Sequence, residues 1–223
     1  MKPLLEVAID GPFGAALRDL GVPRLELCAD LHLDGLTPSE DLVRSVRREF
    51  PGTMSVMVRV KPGPFTASPA ELETMLRSMQ RLRELGVDAF VLGVLRIDGT
   101  LDRDATLRCV DAAASLPVTF HRAFDRVREP LAVAQELVNM GIRSLLTSGG
   151  AATAIEGIAT LRELCAAASV GSAPAMIAAG KIRAQEATQL ACLAGLSVIH
   201  RSGFKEGHWD DEGLRATLRA INS

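Results

Sequence analysis

Ionisable side chains close several short β-like runs of this sequence, most clearly in the segment from Val118 to Asp125. β-branched and aromatic residues open the segment, as in a buried strand. His121, Arg122 and Asp125 close it, and such groups are costly to bury without partners. An isolated histidine here would as readily be a core residue bonded to a carbonyl. Because other strands end in the same way, the pattern favours barrel strands that deliver side chains to a pocket.

Acid–base chemistry is the first interpretation of these strand ends. Either a carboxylate or His121 would act as the base, and Arg59 would hold an anionic substrate, for proton abstraction next to a carbonyl or for a lyase step. In the alternative interpretation, glutamates and arginine form a structural ion-pair layer inside the barrel. The candidate catalytic residues are Glu6, Glu26, Arg59, His121 and Asp125.

Glycines, hydroxyls and a lysine follow the later strands, where barrels often bind a phosphate group. The same glycines would also suit ordinary turns, so both interpretations stay open. The candidate anion-binding residues are Thr147, Ser148, Gly149, Gly180, Lys181 and Ser202.

One of the four cysteines, Cys28, also stands at a predicted strand end, two residues after Glu26 and therefore on the same face. Thiolate and imidazole are the donors that soft metals prefer. Cys28, His121 and His200 are therefore candidate metal ligands. The other three cysteines fall within helical apolar patterns and are expected in the core.

The composition is that of a globular protein with a sizeable core, since 48% of the 223 residues are hydrophobic and 23% are charged. A net charge of −2, no tyrosine and one tryptophan argue against a nucleic-acid partner. No segment matches a membrane span, and the N-terminus does not resemble a signal peptide. We therefore expect a cytoplasmic protein with reduced thiols and no membrane partner.

Strand-like runs alternate with helical patterns throughout the chain, which predicts a parallel sheet. Eight such units in 223 residues match a compact (β/α)8 TIM barrel, a single domain over residues 1–223. The alternative is an open doubly wound sheet. Residues 10–14 match its Gly-rich first turn poorly, so no nucleotide cofactor is indicated. The predicted strands are Leu4–Ile9, Arg24–Cys28, Met54–Val60, Ala89–Leu95, Val118–Arg122, Ser144–Ser148, Ala175–Ala179 and Ser197–His200.

Five motifs occur in order along nearly the whole chain. They are Arg24-x-Glu26-Leu27-Cys28, Gly35-Leu36-Thr37-Pro38-Ser39, Gly93-Val94-Leu95 with Asp98-Gly99, Val118-Thr119-Phe120-His121-Arg122-Ala123-Phe124-Asp125 and Leu146-Thr147-Ser148-Gly149-Gly150. Together they resemble the CutC family, and the Thr-Phe-His-Arg-Ala-Phe-Asp run is the most specific part. The resemblance implies a cytoplasmic TIM barrel that is linked to copper homeostasis and to Cu(I) binding.

Two segments at the predicted pocket rim depart from the family pattern. After the third strand the family usually shows Ile-Arg-Pro-Arg-Gly-Gly-Asp-Phe, where this chain has Val58-Arg59-Val60-Lys61-Pro62-Gly63-Pro64-Phe65. After the seventh strand, the expected Gly-x-Gly is replaced by Ala179-Gly180-Lys181. A ligand different from that of other family members is therefore compatible with the same barrel.

Three functions remain as hypotheses. In the first, the protein takes part in copper homeostasis and binds about one Cu(I), weakly or moderately, at the barrel mouth, where Arg59 would favour the Cys28 thiolate. In the second, it is an acid–base lyase or isomerase acting on a small anionic or phosphorylated metabolite. In the third, the barrel has only a scaffolding role. The expected ligand is a small molecule or a metal ion, and a homo-oligomer is left open.

Overall fold

The computed structural model describes residues 2–222, one residue short of the predicted domain 1–223 at each end. Eight parallel strands close into a barrel in sequence order, and the last strand pairs with the first. This topology confirms the predicted (β/α)8 fold. The strands are β1 (Leu4–Ile9), β2 (Arg24–Leu27), β3 (Thr53–Met57), β4 (Ala89–Leu92), β5 (Val118–Phe120), β6 (Ser144–Thr147), β7 (Ala175–Ala178) and β8 (Leu196–Ser202).

Each barrel strand is followed by a helix. The helices are α1 (Gly14–Asp19), α2 (Glu40–Glu49), α3 (Pro69–Glu84), α4 (Arg103–Ala113), α5 (Pro130–Asn139), α6 (Ile158–Ser169), α7 (Ala184–Ala191) and α8 (Asp211–Asn222). Ser39 and Ser68 cap α2 and α3, because each hydroxyl accepts a hydrogen bond from a backbone N–H in the first helical turn. Among residues 2–222, no helix has both the length and the apolar character needed to cross a membrane.

The loops carry some regular structure of their own. Short 3-10 turns cover Leu31–Leu33 and Arg122–Arg126. A small hairpin follows β8 and pairs β9 (Phe204–Lys205) with β10 (His208–Trp209).

Strands β3, β4 and β5 end two or three residues earlier than the sequence predicts. After β3, the backbone N–H of Arg59 donates to Thr37 Oγ1 at 2.8 Å and so leaves the ladder. After β5, His121 Nδ1 accepts the N–H of Ala123 at 3.1 Å and begins a 3-10 turn. The polar residues therefore occupy the first loop positions after the strands, where side chains are free to orient toward the mouth.

The two faces of the barrel strands differ in chemistry. On one face, residues such as Leu25, Leu27, Met54 and Val56 are fully buried in the core between the strands and the helices. A polar layer occupies the other face, inside the barrel, where Val, Ile and Leu are the usual residues. Strand register places its members side by side: Glu6, Arg24, Glu26, Ser55 and His200.

Candidate functional site

A cavity of about 500 Å³ opens at the C-terminal ends of the barrel strands. The structure brings together five of the predicted site residues as part of its lining, namely Glu26, Cys28, His121, Asp125 and His200. The other eight do not line it: Glu6, Arg59, Thr147, Ser148, Gly149, Gly180, Lys181 and Ser202. Shared lining shows that the first group can meet one ligand, while their individual roles stay predictions.

Four side chains form a chain of hydrogen bonds and ion pairs through the barrel interior. Arg24 Nη2 donates to Glu6 Oε2 at 3.0 Å. Glu6 Oε1 lies 3.1 Å from His200 Nδ1, and His200 Nε2 lies 3.3 Å from Glu26 Oε2. The strand order brings His200 close to both glutamates, because β1 lies between β2 and β8. The predicted alternative of a structural ion pair thus holds for Glu6, with Arg24 rather than Arg59 as its partner.

The contacts among these side chains determine the charge that each of them carries. Burial alone raises the pKa of Glu6, but the hydrogen bond and charge of His200 and the charge of Arg24 outweigh it, so that pKa is lowered. Burial lowers the pKa of His200, and the two glutamates reverse this and raise it. Burial raises the pKa of Glu26 to about 7, with the charge of Glu6 adding to the shift and that of His200 opposing it. Near neutral pH, Glu6 is therefore ionised, the protonated form of His200 is favoured by both glutamates, and Glu26 can gain or lose a proton.

Glu26 presents one oxygen that the protein does not use. Its Oε2 faces His200, whereas its buried Oε1 has no hydrogen-bond partner within residues 2–222. Ser55, its register neighbour on β3, also has a buried hydroxyl without a partner in that range. Unpaired buried polar atoms are costly, so an atom of this kind in a residue that lines a cavity indicates a place for a ligand.

His121, which lines the same cavity, has a second unused buried polar atom. Its Nδ1 accepts the backbone N–H of Ala123, so the proton of the neutral imidazole is on Nε2. Nε2 is buried and has no partner within the described residues. Burial, and then the charge of Arg59, lower the pKa of His121 to about 3. His121 is therefore a neutral hydrogen-bond donor at physiological pH.

Close packing holds the His121 ring in this position. A Cβ atom placed on Gly93 would lie 2.6 Å from His121 Nδ1, so only glycine leaves room for the ring. On another side, the Phe65 ring centroid is 4.9 Å from that of His121. Sequence reasoning assigned no site role to Gly93 or Phe65. The Gly93-Val94-Leu95 motif was the one available signal for the glycine.

Arg59 takes a different position from the predicted substrate anchor. Its Nη1 donates to the carbonyls of Leu33 and Gly35 at 2.8 and 3.1 Å, and its Nη2 donates to Gly63 O at 2.8 Å. Its guanidinium carbon lies 4.7 Å from the centroid of the Phe65 ring. The residue is buried and absent from the cavity lining. Arg59 therefore ties two loops together and supports the wall that contacts His121.

We expect Arg59→Met to lower the free energy of unfolding by about 2–4 kcal/mol, because three loop carbonyls lose a charged donor. Urea unfolding at pH 7 measures this. Arg44→Gln is the matched control, since Arg44 forms an exposed helical pair with Glu40, and it should cost about 0.5 kcal/mol or less. Equal stability of the two variants would contradict the tying role of Arg59.

Asp125 is saturated by hydrogen bonds and is poorly suited to the predicted catalytic role. Its Oδ1 accepts from Thr147 Oγ1 and from the N–H groups of Ser148 and Gly150. Its Oδ2 lies 2.9 Å from Ser148 Oγ and accepts from Arg122 Nε at 2.8 Å. Asp125 therefore organises the β5 and β6 loops. The (i, i+3) spacing of Arg122 and Asp125 was the signal by which sequence reasoning could have assigned Arg122 to the site.

Four of the predicted anion-binding residues, Thr147, Ser148, Gly149 and Gly180, take part in hydrogen bonds or close packing within the loops. Thr147 and Ser148 bond to Asp125, as described above. Gly180 has a φ of +110°, and a Cβ there would lie 2.9 Å from Ser148 Cβ, so it provides close loop packing. Lys181 and Ser202 are exposed away from the cavity lining. Anion binding at these residues stays a prediction, and the geometry assigns them turn and packing roles.

Cys28 is a buried thiol that does not readily lose its proton. Its Sγ lies 3.5 Å from Ile9 O. Burial raises its pKa, and the charges of Glu26, Asp10 and Asp30 raise it further. The prediction that Arg59 favours the thiolate is wrong, because the surrounding charges are acidic. Among the described residues, no group of three or more His, Cys, Asp and Glu side chains is arranged to hold a metal ion.

Comparison with protein families matches residues 4–205 to the model of the CutC family. The chain belongs to the CutC family. A family protein CutC from Mesorhizobium japonicum is 35% identical to it over 205 residues, which are 92% of this chain and 79% of the relative. A CutC from Xanthomonas campestris is 39% identical over 161 residues, or 72% of this chain and 67% of the relative.

A solved CutC structure shows the same barrel. The crystal structure of a proposed copper homeostasis protein CutC from Streptococcus agalactiae matches with a TM-score of 0.79 and 28% identity, over 90% of this chain and 98% of that one. The resemblance to CutC found in the motifs is thus confirmed.

Proposed function

We propose that the cavity of this CutC protein is an active site for proton abstraction next to a carbonyl, in a small carbonyl compound. One observation carries the proposal: two unused buried atoms, Glu26 Oε1 and His121 Nε2, belong to residues that line one cavity. The first is an oxygen of a carboxyl whose pKa is about 7, as a general base requires. The second is a neutral N–H donor suited to a developing oxyanion.

The reaction step follows from these two atoms. Glu26 Oε1 takes the proton from the carbon next to the carbonyl, and the electron pair of the broken C–H bond forms a carbon–carbon double bond. The carbonyl π electrons move to the oxygen, which accepts a hydrogen bond from His121 Nε2. Glu26 then returns the proton to the same carbon, which gives exchange. In a 2-hydroxycarbonyl compound it can instead protonate the former carbonyl carbon while the hydroxyl proton passes to the enolate oxygen, which gives isomerisation.

Glu6 and His200 orient the carboxyl group of Glu26, the proposed base. Glu6 Oε1 lies 3.1 Å from His200 Nδ1, which orients the imidazole, and the two glutamates raise its pKa and favour its protonated form. His200 Nε2 then faces Glu26 Oε2, which leaves Oε1 as the free basic oxygen. Apolar side chains complete the lining and limit competing water; they include Leu31, Met57, Phe65 and Leu146.

Hydrogen–deuterium exchange at carbon tests the proposal without knowledge of the natural substrate. Hydroxyacetone, dihydroxyacetone phosphate, pyruvate and 2-oxobutyrate would be incubated with the protein in D₂O and followed by proton NMR. We expect catalysed exchange next to the carbonyl of at least one compound, above the rate in buffer. Exchange no faster than buffer for the whole set, extended to other C3–C6 hydroxycarbonyls, would contradict the proposal.

A second candidate function, Cu(I) binding, is favoured by one contact. Cys28 Sγ and the Met57 methyl carbon Cε lie 3.5 and 3.3 Å from the Cβ position of Gly35, and the two side chains belong to one packed cluster at the cavity wall. Thiol, thioether and imidazole are the donors that Cu(I) prefers, and His121 and His200 line the same cavity. The donor set thus fits Cu(I), with Cys28 and Met57 as its nearest ligands, although the raised pKa of Cys28 weakens binding.

Competition with a Cu(I) chelator under reducing conditions measures this binding. We expect about one equivalent of weak or moderate affinity, which decreases about tenfold or more in Cys28→Ser because the thiol that lines the cavity is lost. Cys192→Ser is the control, since Cys192 is exposed and outside the cavity, in contrast to the core position that the sequence predicts for it. Equal Cu(I) affinity in wild type and Cys28→Ser would contradict Cu(I) binding at this site. A cytoplasmic location, which keeps the four free thiols reduced, is part of the same proposal.

A further inference from the structure

We infer that Arg122 is the anchor for an oxyanion group of the substrate, so that the substrate class is a small carbonyl compound bearing a carboxylate or a phosphate. This inference rests on the proposed function of the cavity. It moves the anion site from Arg59 and the loops after β6, β7 and β8, where the sequence predicts it, to the loop after β5.

The guanidinium of Arg122 is held along one edge only. Its Nε donates to Asp125 Oδ2 at 2.8 Å, and its Nη2 donates to Ser148 Oγ at 3.1 Å. The N–H groups at the opposite end, on Nη1 and Nη2, make no protein hydrogen bond in the described residues. Two parallel N–H donors at the end of a fixed guanidinium match the two oxygens of a carboxylate or phosphate.

The hydrogen bonds around Asp125 hold the Arg122 side chain in a fixed orientation. Asp125 receives hydrogen bonds from Thr147, Ser148 and Gly150 in addition to that from Arg122. Such a network holds a side chain that is still 40% exposed. A surface arginine gains little stability from an ion pair, so this degree of fixation is better explained by binding.

The position of Arg122 also suits the proposed chemistry. It lines the same cavity as Glu26 and His121, the two residues with unused buried atoms. Small residues, Gly150 and Ala151, form the wall beside it and leave space for a ligand. An anion held at Arg122 would orient the carbonyl toward His121 and the neighbouring carbon toward Glu26, which is the positioning that such catalysis needs.

Anion titration tests the inference independently of turnover. The intact protein, labelled with ¹⁵N, would be titrated with inorganic phosphate and separately with acetate, with hydroxyacetone as the neutral comparison. We expect the Arg122 Nε–H resonance to shift and to saturate with one of the two anions, which identifies the group. Calorimetry should show about tenfold or greater weakening in Arg122→Gln, and a smaller weakening in Arg122→Lys, which keeps the charge but loses the paired donors.

Two controls separate this inference from the proposed function. Arg128→Gln removes the same charge from an exposed position outside the cavity and should change anion affinity by about twofold or less. Glu26→Gln should keep anion binding while losing exchange. Anion binding without any exchange would therefore support Arg122 and contradict the proposed reaction. No saturable binding of either anion, or equal affinity in Arg122→Gln and wild type, would overturn the inference.

Discussion

Replacing Glu26 by glutamine is expected to lower the rate of carbon–deuterium exchange by about 10²–10⁴-fold, because the amide has no basic oxygen to take the proton. The glutamine side chain keeps the volume of the glutamate and an oxygen that can face His200. Circular dichroism and the unfolding midpoint should therefore show an intact fold. Glu84→Gln, at the exposed end of α3, is the matched control and should exchange at the wild-type rate. Unchanged exchange in Glu26→Gln would exclude Glu26 as the base.

The pH dependence of wild type gives the same prediction a second measurement. Since the base must be ionised and the pKa of Glu26 is about 7, the rate should rise about tenfold per unit below pH 7 and level off above it. The stability of the folded protein should instead decrease as pH rises. The folded pKa is above the value of 4.5 for an unperturbed carboxyl, so wild type loses stability relative to Glu26→Gln as pH rises from about 4.5 to 7. Urea unfolding of both proteins at pH 5 and pH 8 measures this difference.

Replacing His121 by phenylalanine is expected to reduce the exchange rate by about 10²–10³-fold, the usual loss when one oxyanion donor is removed. A phenyl ring can keep the packing against Gly93 and Phe65 but has no Nε2–H. The loss should appear in kcat more than in KM, because the hydrogen bond strengthens as charge develops on the oxygen. Rates at saturating carbonyl compound, measured for both proteins, test this.

The defect of His121→Phe should also be the same at pH 6 and pH 8. His121 is neutral at both values, since its pKa is about 3. The variant leaves the backbone N–H of Ala123 without its partner, so a moderate loss of stability is expected and is followed by the unfolding midpoint. A defect confined to stability, with kcat unchanged, would show that His121 is only a packing residue.

Local patterns were enough to predict the barrel. The alternation of strand and helix signals depends on residues within each unit, and eight repeats of the unit have few ways to bury their apolar faces. The same parity argument placed Glu26 and Cys28 on one face, and both line the cavity. His121 was found because a charged or polar group directly after a buried strand is a local feature.

Only the tertiary structure decided the hydrogen-bond partners and the protonation states. Glu6 contacts His200, 194 positions away in the sequence, because β8 closes onto β1. In the sequence, Arg59 is two residues after Met57 and is therefore predicted on the same strand face. Its guanidinium instead donates to loop carbonyls, and no sequence pattern near Arg59 predicts these partners. The acidic surroundings of Cys28 likewise come from residues on several elements.

The physical reason lies in the range of the forces involved. Strand and helix patterns record backbone geometry and burial, which repeat every few residues and can be seen in sequence. A pKa or a donor's partner depends on desolvation and on charges within a few ångströms, which distant segments supply after folding. The sequence alone therefore determined the barrel and five of the residues that line its mouth. The closed barrel decided that Glu26 and His121 keep unpaired polar atoms while Arg59 and Asp125 hold the loops.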